Sequence, residues 1–550
     1  AIGQDLSDLV VNDLTVNGEL QALGTIKLDG NYPTGTQNVA LGDTALDSVQ
    51  ASGNKNTAIG YAALTTVTTG DDNTGIGFGA LELNTAGCAT ALGKSSLQGN
   101  TTGEFNTAVG ACSLNANTTG EQNTAMGFKA LQNNLEADNN TAFGLQTLRN
   151  STTGASNTAV GHDSLKLNTS GSNNTSVGQI SLGANTTGSN NVAVGKCALC
   201  SNTEGAQNIS MGTEALSKNT TAENNVAVGH RALCANITTS NNVAVGKEAL
   251  RNNVQNSNTA VGSLASQGNT SGDCNVAIGF EALCANQTGG GHTAVGAEAL
   301  KTNTGVQNTA IGHRALCSNS SGACNVALGR QALCSNTSAN YNTALGHSSM
   351  LKNTEGFSNT AVGLYSLACN TTGDAHVAIG YEALLNNTTA DCNTAVGCKA
   401  MRANTTGNNN TAIGLMALDA NDDSDSNTAV GHSSLTSSDT SNNTAVGFET
   451  LACTTSGFGT AVGYRAMKAN TTSSGSTAMG YQAMCANTTG SNNTAFGLEA
   501  LKTNISGSGN TAVGRDALEL NTASNNTAVG YAALLANTTG PDNVAIGCGS

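Results

Sequence analysis

Aromatic and imidazole side chains recur at one point of a repeated phrase, directly after its glycine. Exposed ring faces of this kind can bind sugars or other host-surface ligands, and imidazoles can bind metals. Two histidines never follow one another in the series, which weakens the metal interpretation. The alternative is structural, since bulky rings can shield an apolar sheet beneath them. The residues are Tyr61, Phe78, Phe128, Phe280, Tyr381, Phe448, Tyr464, Tyr481, Tyr531, His162, His230, His313, His347 and His432.

Cysteines form a second series with chemical potential. Cys317 and Cys334 occupy the same place in consecutive repeats, and Cys324 lies between them at another place. Stacked cysteines can come within disulfide reach, whereas free thiols would serve as small apolar side chains. Both states stay open. Cys197 and Cys200 have the spacing of a redox pair but lie in an ordinary repeat, so we expect no redox or metal role for them.

The acidic residues give no catalytic signature. No two carboxylates stand out as an acid–base couple, and no Ser/His/Asp group can be singled out among so many serines. Acidic turns such as 421–427 can hold calcium, but the glycine-rich repeat of calcium-binding β-rolls is missing, so we expect solvated turns. The sequence therefore predicts a protein that is not an enzyme and that uses no cofactor or metal.

Charge and hydropathy exclude two classes of partner. The chain carries 36 acidic and 21 basic residues, for a net charge of −15. Nucleic-acid binding needs basic surfaces that displace phosphate counterions, so we expect no nucleic-acid partner. No apolar run reaches the length of about 18 residues that a membrane-spanning helix needs. We therefore expect no membrane span.

One repeated phrase positions all these side chains. Its consensus is N-T-A-V-G-x-x-A-L-x-x-N-T-T-G-x-x, here numbered as positions 1 to 17, so that Asn106–Gln122 is one complete copy. The position-5 glycine recurs from Gly42 to Gly547 at nearly constant spacing, since almost every copy of the phrase has the full length of the consensus. The series includes Gly110, Gly127, Gly229, Gly329, Gly431, Gly530 and Gly547.

The repeat predicts one coil of a β-solenoid. Positions 2–5 and 6–9 indicate two short strands, and the N-T-T-G at positions 12–15 indicates a corner, since Asn and Gly tolerate left-handed backbone angles. A helical repeat is disfavoured because repeats of helix pairs need about 33 residues or more. We expect a thin core of Ala, Val and Leu, stacked position-12 asparagines, and N-T-T glycosylation sequons on an exposed corner.

The strand at positions 2–5 is apolar on both faces. Such strands are usually buried on both faces, and the sequence offers no second domain to cover the outer one. Identical chains around a three-fold axis would cover it. We therefore expect a parallel homotrimer that forms an elongated fibre of about 31 coils, with subunits that can also join head to tail.

Several of these phrases resemble known fibre proteins. The segments NVAIG (543–547), NVAVG (191–195) and HVAIG (376–380) are similar to the repeats of trimeric autotransporter adhesin heads, and N-T-A-V-G arrays of this kind occur in phage and virus tail fibres. The resemblance covers residues 38–547 and implies a trimeric β-roll. The coil of the adhesin heads is shorter than the present repeat, which implies longer turns here.

The resemblance also implies a function. Residues 38–550 are expected to form the shaft, and residues 1–37, where LTVNG resembles tail-fibre entry segments, a β-rich cap or joint. We expect a non-enzymatic fibre on a virion or cell surface, outside the cell, that attaches to a glycan or protein receptor of a host. The alternatives are a polysaccharide-degrading tailspike, a self-assembling cell-surface filament and an ice-binding solenoid.

Overall fold

The structure, a computed structural model, describes residues 35–550. The chain divides into two compact units, Ala1–Asp163 and Ser164–Ser550. The cap expected for residues 1–37 lies almost wholly outside the described residues. From residue 35 onwards the regular structure is parallel β-strand without helix, and one strand recurs in each copy of the sequence repeat. The predicted all-β solenoid is thereby confirmed.

The strands of the first unit are Val39–Leu41 (β1), Thr57–Ile59 (β2), Thr74–Ile76 (β3), Thr90–Leu92 (β4), Thr107–Val109 (β5), Thr124–Met126 (β6), Thr141–Phe143 (β7) and Thr158–Val160 (β8). The strands of the second unit are Thr175–Val177 (β9), Val192–Val194 (β10), Ile209–Met211 (β11), Val226–Val228 (β12), Val243–Val245 (β13), Thr259–Val261 (β14), Val276–Ile278 (β15), Thr293–Val295 (β16), Thr309–Ile311 (β17), Val326–Leu328 (β18), Thr343–Leu345 (β19), Thr360–Val362 (β20), Val377–Ile379 (β21), Thr394–Val396 (β22), Thr411–Ile413 (β23), Thr428–Val430 (β24), Thr444–Val446 (β25), Thr460–Val462 (β26), Thr477–Met479 (β27), Thr494–Phe496 (β28), Thr511–Val513 (β29), Thr527–Val529 (β30) and Val544–Ile546 (β31).

Each strand occupies positions 2 to 4 of its repeat. Within each unit, every strand pairs in parallel with the next one in sequence, and equal positions face each other, as in Ala108 of β5 opposite Ala125 of β6. The period of two along a strand sends the middle side chain inward and its neighbours outward. In β5, accordingly, Ala108 is fully buried whereas Thr107 and Val109 keep part of their surface exposed.

The second predicted strand, at positions 6–9, is not formed. Positions 7 and 9 are left-handed, with φ of 57° at Cys112 and 48° at Leu114, and the Ser113 N–H closes a turn onto the Gly110 carbonyl at 3.3 Å. Left-handed residues at alternate positions break an extended strand. The coils still bond to each other here, since the Leu114 N–H donates to the Ala130 carbonyl at 2.9 Å.

The apolar half of the interior contains small residues and leucine. Ala at positions 3 and 8 and Leu at position 9 are fully buried, as in Ala125, Ala130 and Leu131. The expected Ala and Leu core is therefore present. Position-4 valines, which we also expected in the core, point outward instead, because they share the outer face of the strand with position 2.

Buried asparagines form the other half of the interior. At position 12, Asn117 Nδ2 donates to Asn100 Oδ1 of the preceding coil at 2.6 Å and to the Gly120 carbonyl at 2.9 Å. At position 1, Asn106 Nδ2 donates to the same carbonyl at 2.7 Å, and the Asn123 N–H donates to Asn106 Oδ1 at 2.9 Å. The predicted stacking at position 12 is confirmed. The prediction that the sequon asparagines are exposed is wrong, since Asn100 and Asn117 have no accessible surface.

Two glycine positions have different structural reasons. The predicted repeat glycines have φ between 126° and 139°, and a Cβ on Gly110 would lie 2.6 Å from the Gly127 carbonyl oxygen. Position 5 therefore excludes a side chain by conformation and by space. The corner glycine Gly120 is not left-handed, contrary to our expectation. A Cβ there would lie 2.5 Å from the Ala137 carbonyl oxygen, so close packing between coils, and not backbone conformation, favours a small residue. Ala137 occupies the same position in the next coil.

Candidate functional site

The aromatic and imidazole residues at position 6 lie on the outside of the coils, directly after the glycine that follows each strand. We call this set the position-6 column. In the first unit, Tyr61 and Phe78 stack with ring centroids 5.2 Å apart and planes inclined by 17°. Because equal positions of successive coils face each other, the column brings together rings that are a whole repeat apart in sequence.

The longest stack lies in the second unit. His432, Phe448, Tyr464 and Tyr481 stack in succession with centroid distances of 5.2, 5.4 and 5.1 Å and interplanar angles of 7° to 14°. Exposed leucines occupy position 6 on either side of the stack. We call these six residues, Leu415, His432, Phe448, Tyr464, Tyr481 and Leu498, the aromatic ridge.

Charged side chains lie along one side of the aromatic ridge. The Arg465 guanidinium lies 5.0 Å from the centroid of the Tyr464 ring, and its Nε lies 2.8 Å from Glu449 Oε2. Lys468 Nζ lies 2.6 Å from the same carboxylate oxygen. The Lys468 hydrogen bond, with a further one from Arg465, lowers the pKa of Glu449. The three charged groups leave one net positive charge beside the rings.

Stacking decides what the rings can bind. In the aromatic ridge each inner ring has both faces covered by its neighbours, so the ridge presents ring edges to solvent. Phe280 differs, since the column has the small residues Ser263 and Ala297 on either side of it and the ring is half exposed. An open ring face suits stacking against the apolar face of a sugar, whereas the aromatic ridge suits a broader apolar contact.

The histidines fall into two structural groups. His162, His230, His313 and His432 are exposed in the column, and His347 is half-buried with its ring edge-on to Tyr365 at 5.7 Å. Sequence reasoning missed the other two, His292 and His376. Both occupy position 1 in place of the consensus asparagine, and that position was the signal that could have placed them inside.

His292 and His376 replace asparagine in the buried ladder. His292 Nε2 lies 2.9 Å from the Gly305 carbonyl, and the Asn308 N–H donates to its Nδ1 at 3.1 Å. An accepting Nδ1 requires the neutral imidazole, with the proton on Nε2. His376 repeats the arrangement with the Ala390 carbonyl at 2.6 Å and the Asn393 N–H at 3.2 Å. Desolvation lowers the pKa of both histidines.

Several of the described carboxylates form ion pairs or accept backbone hydrogen bonds. Within residues 35–550, one acidic group, Glu499, Asp516 and Glu519, has oxygens close enough together to hold a metal ion. Lys502 Nζ lies 2.9 Å from Glu499 Oε1, and Arg515 Nε lies 3.1 Å from Asp516 Oδ2. These two cations offset two of the three carboxylate charges, and we assign no metal to the cluster.

The acidic turn 421–427 uses its side chains between coils. Asn421 is buried in the position-12 ladder and donates to Asn404 Oδ1 at 2.8 Å. Asp425 Oδ1 accepts the Asn408 N–H at 2.6 Å, and Asp422 Oδ1 accepts the Thr405 hydroxyl at 2.5 Å. Asp422 and Asp425 thus accept hydrogen bonds from the preceding coil.

The cysteines include one disulfide and one close thiol pair. Cys197 and Cys200 are disulfide-bonded, with Cα atoms 4.8 Å apart, at positions 7 and 10, where Glu248 and Arg251 form an ion pair at 3.2 Å. Cys317, Cys324 and Cys334 are free. The neighbouring Cys334 thiol lowers the pKa of Cys317, whereas the Cys324 thiol donates to Gln307 Oε1 at 3.6 Å.

The outer strand face recurs in every described strand. We define it as the outward side chains at positions 2 and 4 of the strands. In the described strands this face carries Thr, Val, Ile, Leu, Met and Phe and no charged residue. Its larger side chains are well exposed, with Phe143 at 51% and Met211 at 42%. Nothing in the described part of the chain covers it, although parallel sheets are normally buried on both faces.

The geometry thus defines a class, an all-β repeat protein with a parallel solenoid, a column of rings and an uncharged sheet face. No protein-family model and no curated protein sequence matches this chain. Among residues 35–550, no helix is long and apolar enough to cross a lipid bilayer.

Proposed function

We propose that the chain is a non-enzymatic subunit of an extracellular fibre, on a virion or a cell surface, that assembles as a parallel homotrimer and attaches to a receptor. The observation that carries the proposal is the outer strand face, which carries threonine and apolar side chains without any charge and is left uncovered in both units. A second and third copy around a three-fold axis would cover it along its length.

The dimensions of the second unit support a structural role. Its 23 strands, at one strand spacing each, extend over roughly 105 Å. Stable interfaces bury about 800 Å² per partner, and a face roughly 10 Å wide along this unit supplies that area. A regular stack of coils with a core of small residues makes the protein long without forming a large pocket in its interior. A shaft that holds an attachment surface away from its base fits these properties.

The position-6 column supports the attachment role. It lies past the glycine that ends each strand, so its side chains are separate from the outer strand face and would stay accessible in the trimer. We propose a glycan or protein receptor on a host surface, with single rings such as Phe280 for sugars and the aromatic ridge for an apolar protein surface.

The mass of the purified full chain in solution tests the assembly. We expect sedimentation to give three times the chain mass of 54.7 kDa. The double substitution Val228→Lys and Val245→Lys places two charges on the outer strand face and should give monomers, because the interface would have to bury them. Thr238→Lys, on an exposed turn nearby, is the matched control and should stay trimeric. A monomeric wild-type chain would refute the trimer.

Attachment is tested separately with immobilised host glycans and whole host cells. Phe280→Ala should weaken glycan binding, and Tyr464→Ala with Tyr481→Ala should weaken cell binding, while sedimentation still reports a trimer. Unchanged retention of all three variants on both surfaces would refute the receptor-binding role of the column and leave the structural role standing.

A second candidate function is ice binding. In nine consecutive strands, β22 to β30, position 2 is always threonine. These threonines form a row on the outer strand face, next to a row of apolar side chains at position 4. This row of threonines is the observation that favours the ice-binding alternative. The same face cannot bind ice and be buried in a trimer. Thermal hysteresis from a monomeric chain would favour ice binding, and a trimer without hysteresis would exclude it.

A further inference from the structure

We propose that Cys317 and Cys334 form a thiol-modification site that reacts with small-molecule disulfides, such as oxidised glutathione, and closes into a disulfide between neighbouring coils. The two thiols occupy position 10 of the consecutive coils that contain β17 and β18. The site is independent of the proposed fibre function and makes no use of the position-6 column or the outer strand face.

Backbone register places the two cysteines opposite each other. The Ser318 N–H donates to the Cys334 carbonyl at 3.0 Å, and the Leu316 N–H donates to the Ala332 carbonyl at 3.0 Å. These bonds hold the coils on both sides of Cys317 at one strand spacing, about 4.8 Å. This spacing falls within the Cα separation of about 4.4 to 6.8 Å that disulfides span. The site can therefore close without unfolding a coil.

The two thiols are chemically unequal. The Cys334 thiol donates a hydrogen bond to the Cys317 sulfur, and the Arg314 guanidinium donates another. Together these donors lower the pKa of Cys317 to about 6, while its role as donor raises the pKa of Cys334. The thiolate is the reactive form of cysteine. Cys317 is thus the attacking sulfur and Cys334 the resolving one.

The reaction balances as two thiol–disulfide exchanges. The Cys317 thiolate attacks one sulfur of oxidised glutathione, the glutathione S–S bond breaks, and one glutathione leaves and takes up a proton. Cys334 then gives up its proton and attacks the Cys317 sulfur of the mixed disulfide, which releases the second glutathione. Two protein thiols are oxidised, and one glutathione disulfide is reduced to two glutathione thiols.

No other position-10 cysteine described in the structure has this arrangement. Cys234 is as buried as Cys317, with 7% of its surface exposed in each case, but its sulfur lies 3.5 Å from the Ser217 hydroxyl and has no cysteine beside it. Cys485 has lysines at position 10 in both neighbouring coils, yet burial raises its pKa. Both residues are internal controls in the same protein.

The test uses the folded full-length chain in glutathione redox buffers, followed by acid quenching, trypsin digestion and mass spectrometry. Trypsin cuts after Arg314, Arg330 and Lys352, so the proposed disulfide joins peptides 315–330 and 331–352. The Cys324→Ser variant must retain the link, because Cys324 lies in the first of these peptides. A link that depends on Cys324, or no link in the folded protein, would overturn the proposal.

Single substitutions separate the two steps. Cys334→Ser should stop the reaction with one glutathione attached to Cys317, and Cys317→Ser should leave Cys334 unmodified. Arg314→Gln should shift the pH midpoint of Cys317 alkylation upward, which a purely structural role of Arg314 would not do. If Cys234 takes up glutathione as fast as Cys317, burial alone sets the rate and the assigned site is wrong.

Discussion

At the scale of the residue, buried asparagine side chains link each coil to its neighbours. Asn185 Nδ2 donates to Asn168 Oδ1 at 2.8 Å and to the Gly188 carbonyl at 2.9 Å, and Asn185 Oδ1 accepts from Asn202 Nδ2 at 2.8 Å. Each bonded amide of this polar core contributes to stability, whereas an amide that loses its partner bears its full desolvation cost.

We predict that Asn185→Ala destabilises the protein by about 2 to 4 kcal/mol, since Asn168 and Asn202 each lose a partner in a site without water access. Thr187→Ala is the matched control, because Thr187 is exposed on the same turn, and it should stay within about 0.5 kcal/mol of wild type. Denaturant unfolding measures both. Equal effects of the two substitutions would contradict the ladder as a source of stability.

The two buried histidines predict a pH dependence. Both have a folded pKa below the unfolded value of about 6.5, because desolvation disfavours the imidazolium. In the window between the folded and unfolded pKa values the unfolded state binds more protons, so stability falls as the pH drops below about 6.5. His292→Asn with His376→Asn restores the consensus and should flatten this slope.

Thermal unfolding between pH 5 and pH 8 checks this prediction. His313→Gln is the control, since His313 is exposed in the column, and its pH slope should match that of wild type. If the double asparagine variant keeps the wild-type slope, other groups govern the acid sensitivity and the buried imidazoles do not.

At the scale of the element, the repeat was enough to predict where each strand lies but not how the coil closes. The T-A-V segment alternates in burial as a strand should, so its position followed from β-propensity and the adjoining glycine. The segment at positions 6–9 could not be predicted, because Cys112 and Leu114 adopt left-handed angles that such residues rarely adopt. Tertiary burial of Leu114 and inter-coil hydrogen bonds override that local preference.

The candidate sites were predictable to a similar degree. Phase in the repeat was enough to align the rings of the position-6 column, since in-phase residues stack. Phase did not show that the ring faces of Phe448 and Tyr464 cover each other, which depends on side-chain rotamers. Phase assigned His292 to position 1, but it did not show by itself that side chains at position 1 are buried.

The glycine that ends each strand gives a prediction for this element. Gly110→Ala should destabilise the first unit by about 3 kcal/mol or more, because φ is 126°, a side chain there is strained, and its Cβ would collide with the Gly127 carbonyl. Gly79→Ala is the control. Gly79 has φ of 62° at position 7, where Ala62 has φ of 54°, so this variant should stay within about 1 kcal/mol of wild type.

Hydrogen exchange resolved to the first unit, or unfolding of the full chain, measures both variants. Loss of stability in Gly79→Ala equal to that in Gly110→Ala would mean that any left-handed glycine is required. We expect that only the position-5 glycine is required, because it combines the conformation with contact against the next coil's backbone.

At the scale of the whole molecule, the solenoid of each unit is quasi-one-dimensional, since each coil contacts its immediate neighbours. Removal of one complete coil should therefore leave the register of the rest intact. Deletion of residues 225–241 takes out β12 with its turns and joins position 17 to position 1. Ile209 would then pair with Val243 in place of Val226, and Asn208 Oδ1 would accept the N–H of Asn242 in place of that of Asn225.

We predict that this full-coil deletion keeps the β-sheet circular dichroism, cooperative unfolding and the oligomeric state, with a melting temperature within a few degrees of wild type. Deletion of residues 225–233, about half a coil, is the control. It puts Cys234 at position 1, in place of the buried asparagine, and removes Leu233 from the core. Every ladder across the junction then loses its phase, and the second unit should lose cooperative unfolding. If both deletions unfold the protein alike, the complete coil is not the unit of folding, and the stacking argument for the shaft fails with it.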